Sequence, residues 1–213
     1  MDLGDSFNAL YSQFLLRDVT AKSVPGGVIL LGGSLPFLRK PDDLQPLLEI
    51  GLVFGVALFA SCWTLGFAVQ GIGFMCRVLR NYPRGNTGED YRGLQQELRG
   101  KMATLSSHAR FRQEQAVERF VVIKEATGNL AVALAILALQ VLSLLLLGLV
   151  PFAFDARVVA TLVLLVGVAV ALIFIHRRAV NWEWDERKSV LGINTDESVR
   201  DWLKMRRSNA AQQ

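Results

Sequence analysis

The chain has 213 residues, 52% of them hydrophobic and 20% charged, with a mean hydropathy of +0.33 and a formal charge of +4. A soluble domain of this size cannot bury so much apolar surface in one core, so the composition excludes an ordinary water-soluble protein and predicts a membrane one. None of the 23 Lys and Arg or 19 Asp and Glu falls between Ile50 and Cys76, between Gly128 and Phe154, or between Val158 and His176. Each gap approaches the roughly 20 apolar residues that a helix needs to cross about 30 Å of hydrocarbon.

Met1-Asp2-Leu3-Gly4-Asp5 is acidic, whereas a cleaved signal peptide opens with basic residues. Residues 1–22 read as an amphipathic helix, with Phe7, Leu10, Tyr11, Phe14 and Leu15 on one face at the membrane surface or against the protein itself. After Pro25-Gly26-Gly27 comes a weak apolar segment reaching Leu38, with Gly32, Gly33 and Pro36 inside it. From Val24 to Leu38 it spans only about 22 Å as a helix. Either it starts near Val19 with Lys22 snorkelling to the surface, or it is re-entrant. A polar connection, Leu38 to Asp43, leads to the second membrane helix, Leu47 to Met75. Cys62 and Cys76 lie fourteen positions apart on that helix, about 21 Å, and read as packing residues.

Asn81-Tyr82-Pro83-Arg84-Gly85-Asn86-Thr87-Gly88 has turn chemistry. A helical hairpin follows, with Leu94, Leu98, Met102 and Leu105 as one apolar stripe and Phe111, Val117, Phe120 and Val121 on the run into the third span. No strong breaker stands between His108 and Leu130 apart from Gly128, so cytoplasmic helix and third span (Asn129 to Phe152) read as one rod of about 65 Å. A turn over 152–157 precedes the fourth span, Val158 to Ile175, and His176-Arg177-Arg178 marks its exit, with His176 as an anchor. In the tail, Thr195 caps a last short helix, Asp196 and Glu197 begin it, and Val199, Trp202 and Leu203 give it a sticky face. Trp182 and Trp184 read as interface markers.

The expected fold is thus an all-α integral membrane protein with four transmembrane helices, a cytoplasmic helical hairpin and a helical tail. Its segments are 1–22 (amphipathic helix), 23–76 (spans 1 and 2), 77–128 (basic hairpin), 129–176 (spans 3 and 4) and 177–213 (tail). Ten Lys or Arg lie between Arg77 and Lys124 and eight from Arg177 onward, against Arg157 alone in the turn between the last two spans. That asymmetry places loop and tail in the cytoplasm, with the N-terminus inside as well.

Signatures of enzyme chemistry are absent: there is no phosphate loop, zinc spacing or Gly-x-Ser-x-Gly, and His108 sits in a solvated basic stretch. No enzyme activity, cofactor or metal is expected. No ionisable residue lies deep in a span, as ion-coupled transporters require. The polar residues at depth, Gln70 on the second helix and Gln140 and Ser143 on the third, serve either as hydrogen-bonding contacts between helices or as pore lining. Gly51/Gly55 and Ala131/Ala135 are small-residue pairs suited to close helix approach. In the basic loop, Tyr82, Arg84, Tyr91 and Arg92 flank a glycine-rich turn. Guanidinium forks match phosphate and aromatic rings stack on bases, so these four are candidate ligands for an anionic nucleotide, with Gly85 and Gly88 freeing backbone N–H groups. Attraction to the lipid bilayer's anionic headgroups is the other reading.

Four apolar runs, a basic hairpin from Arg77 to Lys124 and a charged tail after Arg177 together resemble the layout of small four-span membrane proteins of bacterial anti-phage systems, such as the Kiwa membrane subunit or nucleotide-gated channel effectors. The resemblance covers the whole chain and rests on layout. It implies a homo-oligomer, a tetramer, that responds to infection by altering membrane permeability or by recruiting a cytosolic partner protein. The two functions expected are therefore a homo-oligomeric channel or membrane-perturbing effector, signalled through the hairpin, and a non-conducting adaptor that holds a soluble partner through the hairpin and the Trp202 face.

Overall fold

The computed structural model describes residues 19, 21–34, 52–149, 156–194 and 197–210. All regular structure among them is helical: α1 (Val24–Ser34), α2 (Leu52–Met75), α3 (Gly88–Thr104), α4 (Ser107–Leu146), α5 (Ala156–Leu191) and α6 (Val199–Ala210). The amphipathic helix expected over 1–22 lies almost wholly outside the described residues, as do the connection from Leu38 to Asp43, most of the 152–157 turn, Gly51, and the Thr195 cap with Asp196.

Three helices are long and apolar enough to cross a bilayer: α2 over Gly55–Met75, α4 and α5. Only 6% of the most apolar stretch of α5 is buried within the chain, and Val163, Leu164 and Phe174 are about two-thirds exposed. Side chains like these need lipid or protein around them. Among the described residues the chain is all-helical, with three helices of the length and composition of membrane spans. The first of the four expected spans is described only in part: helical backbone over 21–23 precedes the 11 residues of α1, and the expected end over 35–38 lies outside the described residues.

α4 runs unbroken for 40 residues, so the expected continuous rod is present. Helix ends are set by the backbone. Arg77 (φ 57°), Gly148 (φ 64°) and Gly192 (φ 75°) adopt the left-handed conformation that closes a helix. In each case the residue's N–H returns to a carbonyl three back and the next N–H to one five back, as in Val78 to Gly73 at 3.0 Å, Leu149 to Leu144 at 3.0 Å and Ile193 to Lys188 at 3.0 Å. Arginine is an uncommon occupant of that position, where glycine bears no Cβ penalty.

The chain forms two compact units. The apolar unit comprises residues 1–79 and 125–176. A π-helical turn over 21–23 runs directly into α1, so Pro25, Gly26 and Gly27 lie within a helix that begins N-terminal to them, as in the expected alternative that starts near Val19. α1 then meets α2 at two glycines. A Cβ on Gly26 would collide with the Cys62 carbonyl, and one on Gly66 with the Lys22 backbone. The same stretch meets α4 where Asn129 Nδ2 donates to the Ala21 carbonyl at 2.6 Å, and where Gly32 faces Leu137 and Gln140. α1 is therefore antiparallel to α2 and parallel to α4. Val69, Leu79, Val132 and Ala133 form the core between them. The Lys22 ammonium lies 4.4 Å from the Phe67 ring centroid. His176, expected as a surface anchor, is buried, with its imidazole against Gly128.

The polar unit joins residues 80–124 with 177–213, so the hairpin and tail segments share one core. The expected stripe on α3 is buried: Leu94 packs with Trp184, Ile193, Val199 and Leu203, and Leu98 and Met102 pack with Val190. Trp184, read as an interface marker, is a core residue stacked on Tyr91 with 15° between rings. Val199 and Leu203 are likewise consumed inside the unit. The face assigned to a soluble partner is thereby reduced to a half-buried Trp202.

Candidate functional site: an arginine-lined cleft

A cleft of about 290 Å³ in the polar unit is lined by Arg80, Tyr82, Pro83, Arg84, Arg177, Val180 and Asn181. Two segments build it. The first is the connector after α2, where Gly85 takes φ 90° and the Asn86 N–H reaches the Pro83 carbonyl at 3.3 Å. Such a φ belongs to the third position of a type II turn, which accepts glycine without strain. The second is the first polar turn of α5, in which Arg177, Val180 and Asn181 stand at i, i+3 and i+4 and so share a face.

A capping box fixes the far side of the connector. The Thr87 N–H donates to Asp90 Oδ2 at 2.7 Å, and Asp90 N–H donates to Thr87 Oγ1 at 3.3 Å. Arg200 of α6 donates to the same carboxylate at 3.2 Å. Burial pushes the Asp90 carboxyl up, but the bonds from Arg200 and Thr87 outweigh it and hold the group below its ordinary value of 3.8. A carboxyl depressed by folding contributes stability that is complete above its unfolded value and is lost as pH falls through the folded one. Thermal midpoints of the polar unit should therefore drop on acidification below about pH 4. Asp90→Asn should start lower at neutral pH and lose less over that interval, and parallel curves would refute this.

Next to the cleft is a buried charge cluster. Glu183 is 1% exposed; Lys124 Nζ closes on its Oε2, Arg187 donates to its Oε1 at 2.7 Å, and the Tyr91 hydroxyl points to Oε1 at 3.4 Å. The Arg187 guanidinium also lies 5.4 Å from the Tyr91 ring centroid.

Of the four expected ligand residues, Tyr82 and Arg84 line the cleft. Tyr91 stands behind Tyr82, with ring centroids 6.4 Å apart, and belongs to the Glu183 cluster. Arg92 is exposed and outside the lining, and Gly88 starts α3 instead of lining the cleft. Sequence reasoning named neither Arg80 nor Asn181 among the four ligands and read Arg177 as marking the exit of the fourth span. The i, i+3, i+4 spacing from Arg177 was the available signal. Gln70 and Gln140 are half-buried and Ser143 is exposed. The Gln140 carboxamide is pressed against Gly32, where an added Cβ would lie 2.5 Å from Oε1, so Gln140 belongs to an α1–α4 contact inside the chain.

Chemically, the cleft offers three guanidinium groups, a phenol and a carboxamide, with no carboxylate in its lining. Such a donor set can pair with an anion. No protein-family model, no curated protein and no solved structure matches this chain.

Proposed function

We propose that the protein is a membrane-embedded effector controlled by a phosphate-bearing anion, which binds the cleft between Arg84 and Arg177. The observation that carries this reading is the convergence of Arg80, Arg84 and Arg177, from segments far apart in sequence, on one cleft free of acidic lining. Guanidinium planes pair with phosphate oxygens through two parallel N–H bonds, and the Tyr82 ring supplies a flat wall. The response resides in the membrane helices, since α4 and α5 each contribute to both units without a break. In this reading copies associate through the exposed apolar faces of α5, because the few helices of one chain enclose no conducting path.

The basic residues of 77–124 and of the tail favour a cytoplasmic position for the polar unit. The direction of α1 favours its crossing as a fourth span with the N-terminus on that same side: it begins beside Asn129 and has advanced to Gln140 by Gly32.

The test is binding and liposome permeability with inorganic pyrophosphate, nucleotides and anionic phospholipid as probes. Arg84→Glu with Arg177→Glu should weaken binding tenfold or more, since each charge-assisted bond contributes about 1.5–3 kcal/mol, while Arg92→Glu should stay close to wild type. If no probe binds, or if the double variant matches wild type, the reading is wrong.

A further inference from the structure

We infer that the anion taken by the cleft is the phosphodiester of an anionic phospholipid headgroup; this rests on the proposal that the cleft binds phosphate. The first argument is position along the chain. Arg177 follows directly on the charge-free run that ends at Ile175 and His176, and Asn181 is four residues further on the same helix, about 6 Å. A bilayer's polar layer is about 5–7 Å deep on each side, the difference between a hydrocarbon core of about 30 Å and a total of about 40–45 Å. The Arg177 side of the cleft therefore falls within the headgroup layer. Arg80 lies five residues after the last residue of α2, whose backbone turns back at Arg77.

The second argument is the company the cleft keeps on α5. Phe174 and Ile175, just before Arg177, are exposed apolar side chains. Trp182, just after Asn181, is 40% exposed, with the Arg178 guanidinium 5.2 Å from its ring centroid and the Phe120 ring at 6.0 Å. Exposed tryptophan paired with arginine at the end of an apolar run is what the interface between lipid and water selects.

The size and lining of the cleft suit a headgroup. At about 290 Å³ the cleft lies at the lower limit of the roughly 300–1,000 Å³ found for sites that enclose a drug-sized ligand. It has room for a phosphate and its glycerol. Val180 and Pro83 give the lining an apolar part that suits the glycerol backbone.

The full chain would be placed in phosphatidylcholine nanodiscs with or without phosphatidylglycerol, and lipid retained after extraction counted by native mass spectrometry. Wild type should retain phosphatidylglycerol in preference to phosphatidylcholine. Arg84→Gln and Arg177→Gln, checked for an unchanged thermal midpoint, should each lower that preference severalfold, and Arg92→Gln, on the same unit but outside the cleft, should not. An equal loss in Arg92→Gln would show general surface attraction and overturn the inference. If pyrophosphate or ATP binds in an Arg84-dependent way and phosphatidylglycerol does not, the lipid is refuted while the phosphate-controlled reading stands. If no probe depends on Arg84 or Arg177, both fail.

Discussion

Replacing Glu183 by alanine should cost the polar unit about 3–5 kcal/mol, a large share of the stability that a domain of this size ordinarily has. Glu183 is the shared acceptor for Lys124 and Arg187, and all three side chains are nearly inaccessible to water. Without the carboxylate, two cations remain in a poorly hydrated site and lose the acceptor they share. Their mutual repulsion then adds to the lost solvation. The Tyr91 hydroxyl loses the Glu183 oxygen as well and keeps the bond donated by Gln95 at 3.2 Å. Trp184 fluorescence and thermal unfolding in detergent measure the effect. Changing Glu183, Lys124 and Arg187 together to Met should recover much of the loss, because apolar replacement of a whole buried ion cluster is commonly neutral or better. A Glu183→Ala midpoint within a degree or two of wild type would mean that water reaches the cluster.

The second large effect is expected at Gly66. A Cβ there meets the carbonyl of Lys22, and 2.7 Å away its Cα. These are backbone atoms of another segment and cannot rotate aside, unlike the flexible Leu79 side chain beside Gly73. Gly66→Val should force α1 and α2 apart at a cost of about 1–3 kcal/mol or more, and should also break the alignment that gives Asn129 the Ala21 carbonyl. Gly71→Val on the same helix, where an added Cβ meets nothing, is the matched control. Labelling of Cys62, which faces Gly27 of α1 at 3.7 Å from an added Cβ, should accelerate in Gly66→Val and not in Gly71→Val. Equal labelling rates in the two variants would refute the close crossing.

The apolar runs and the α3 stripe were legible because each repeats over several turns, so periodicity and length alone identify them. What periodicity does not supply is the identity of the partner. Leu94 and Leu98 pack on the far tail and on the polar extension of α5, as nothing in their own hairpin announces. The stripe Val180, Trp184, Leu191 on α5 follows helical spacing too, but Arg187 and Lys188 interrupt it and make it look like solvated surface. Glycine contacts were missed for a related reason. The pairs sought were two small residues on one helix, whereas the contact joins Gly26 on α1 to Gly66 on α2, each single in its own register. Half of the candidate cleft was legible from the aromatic and basic residues around a glycine turn. The other half required knowing that residues 80–84 and 177–181 come together.

Because α2 closes on its own carbonyls at Gly73 and Phe74, and α4 on those of Leu144 and Leu145, neither helix can lengthen or unwind at that end to suit its surroundings. With 24 residues α2 measures about 36 Å, more than the hydrocarbon thickness of an average bilayer. In a thinner membrane the excess must be met by steeper tilt or by lipid rearrangement around a rod of constant length. The inclination of α2 therefore follows membrane thickness, and lipid chain length becomes a mechanical variable for this protein independent of any headgroup.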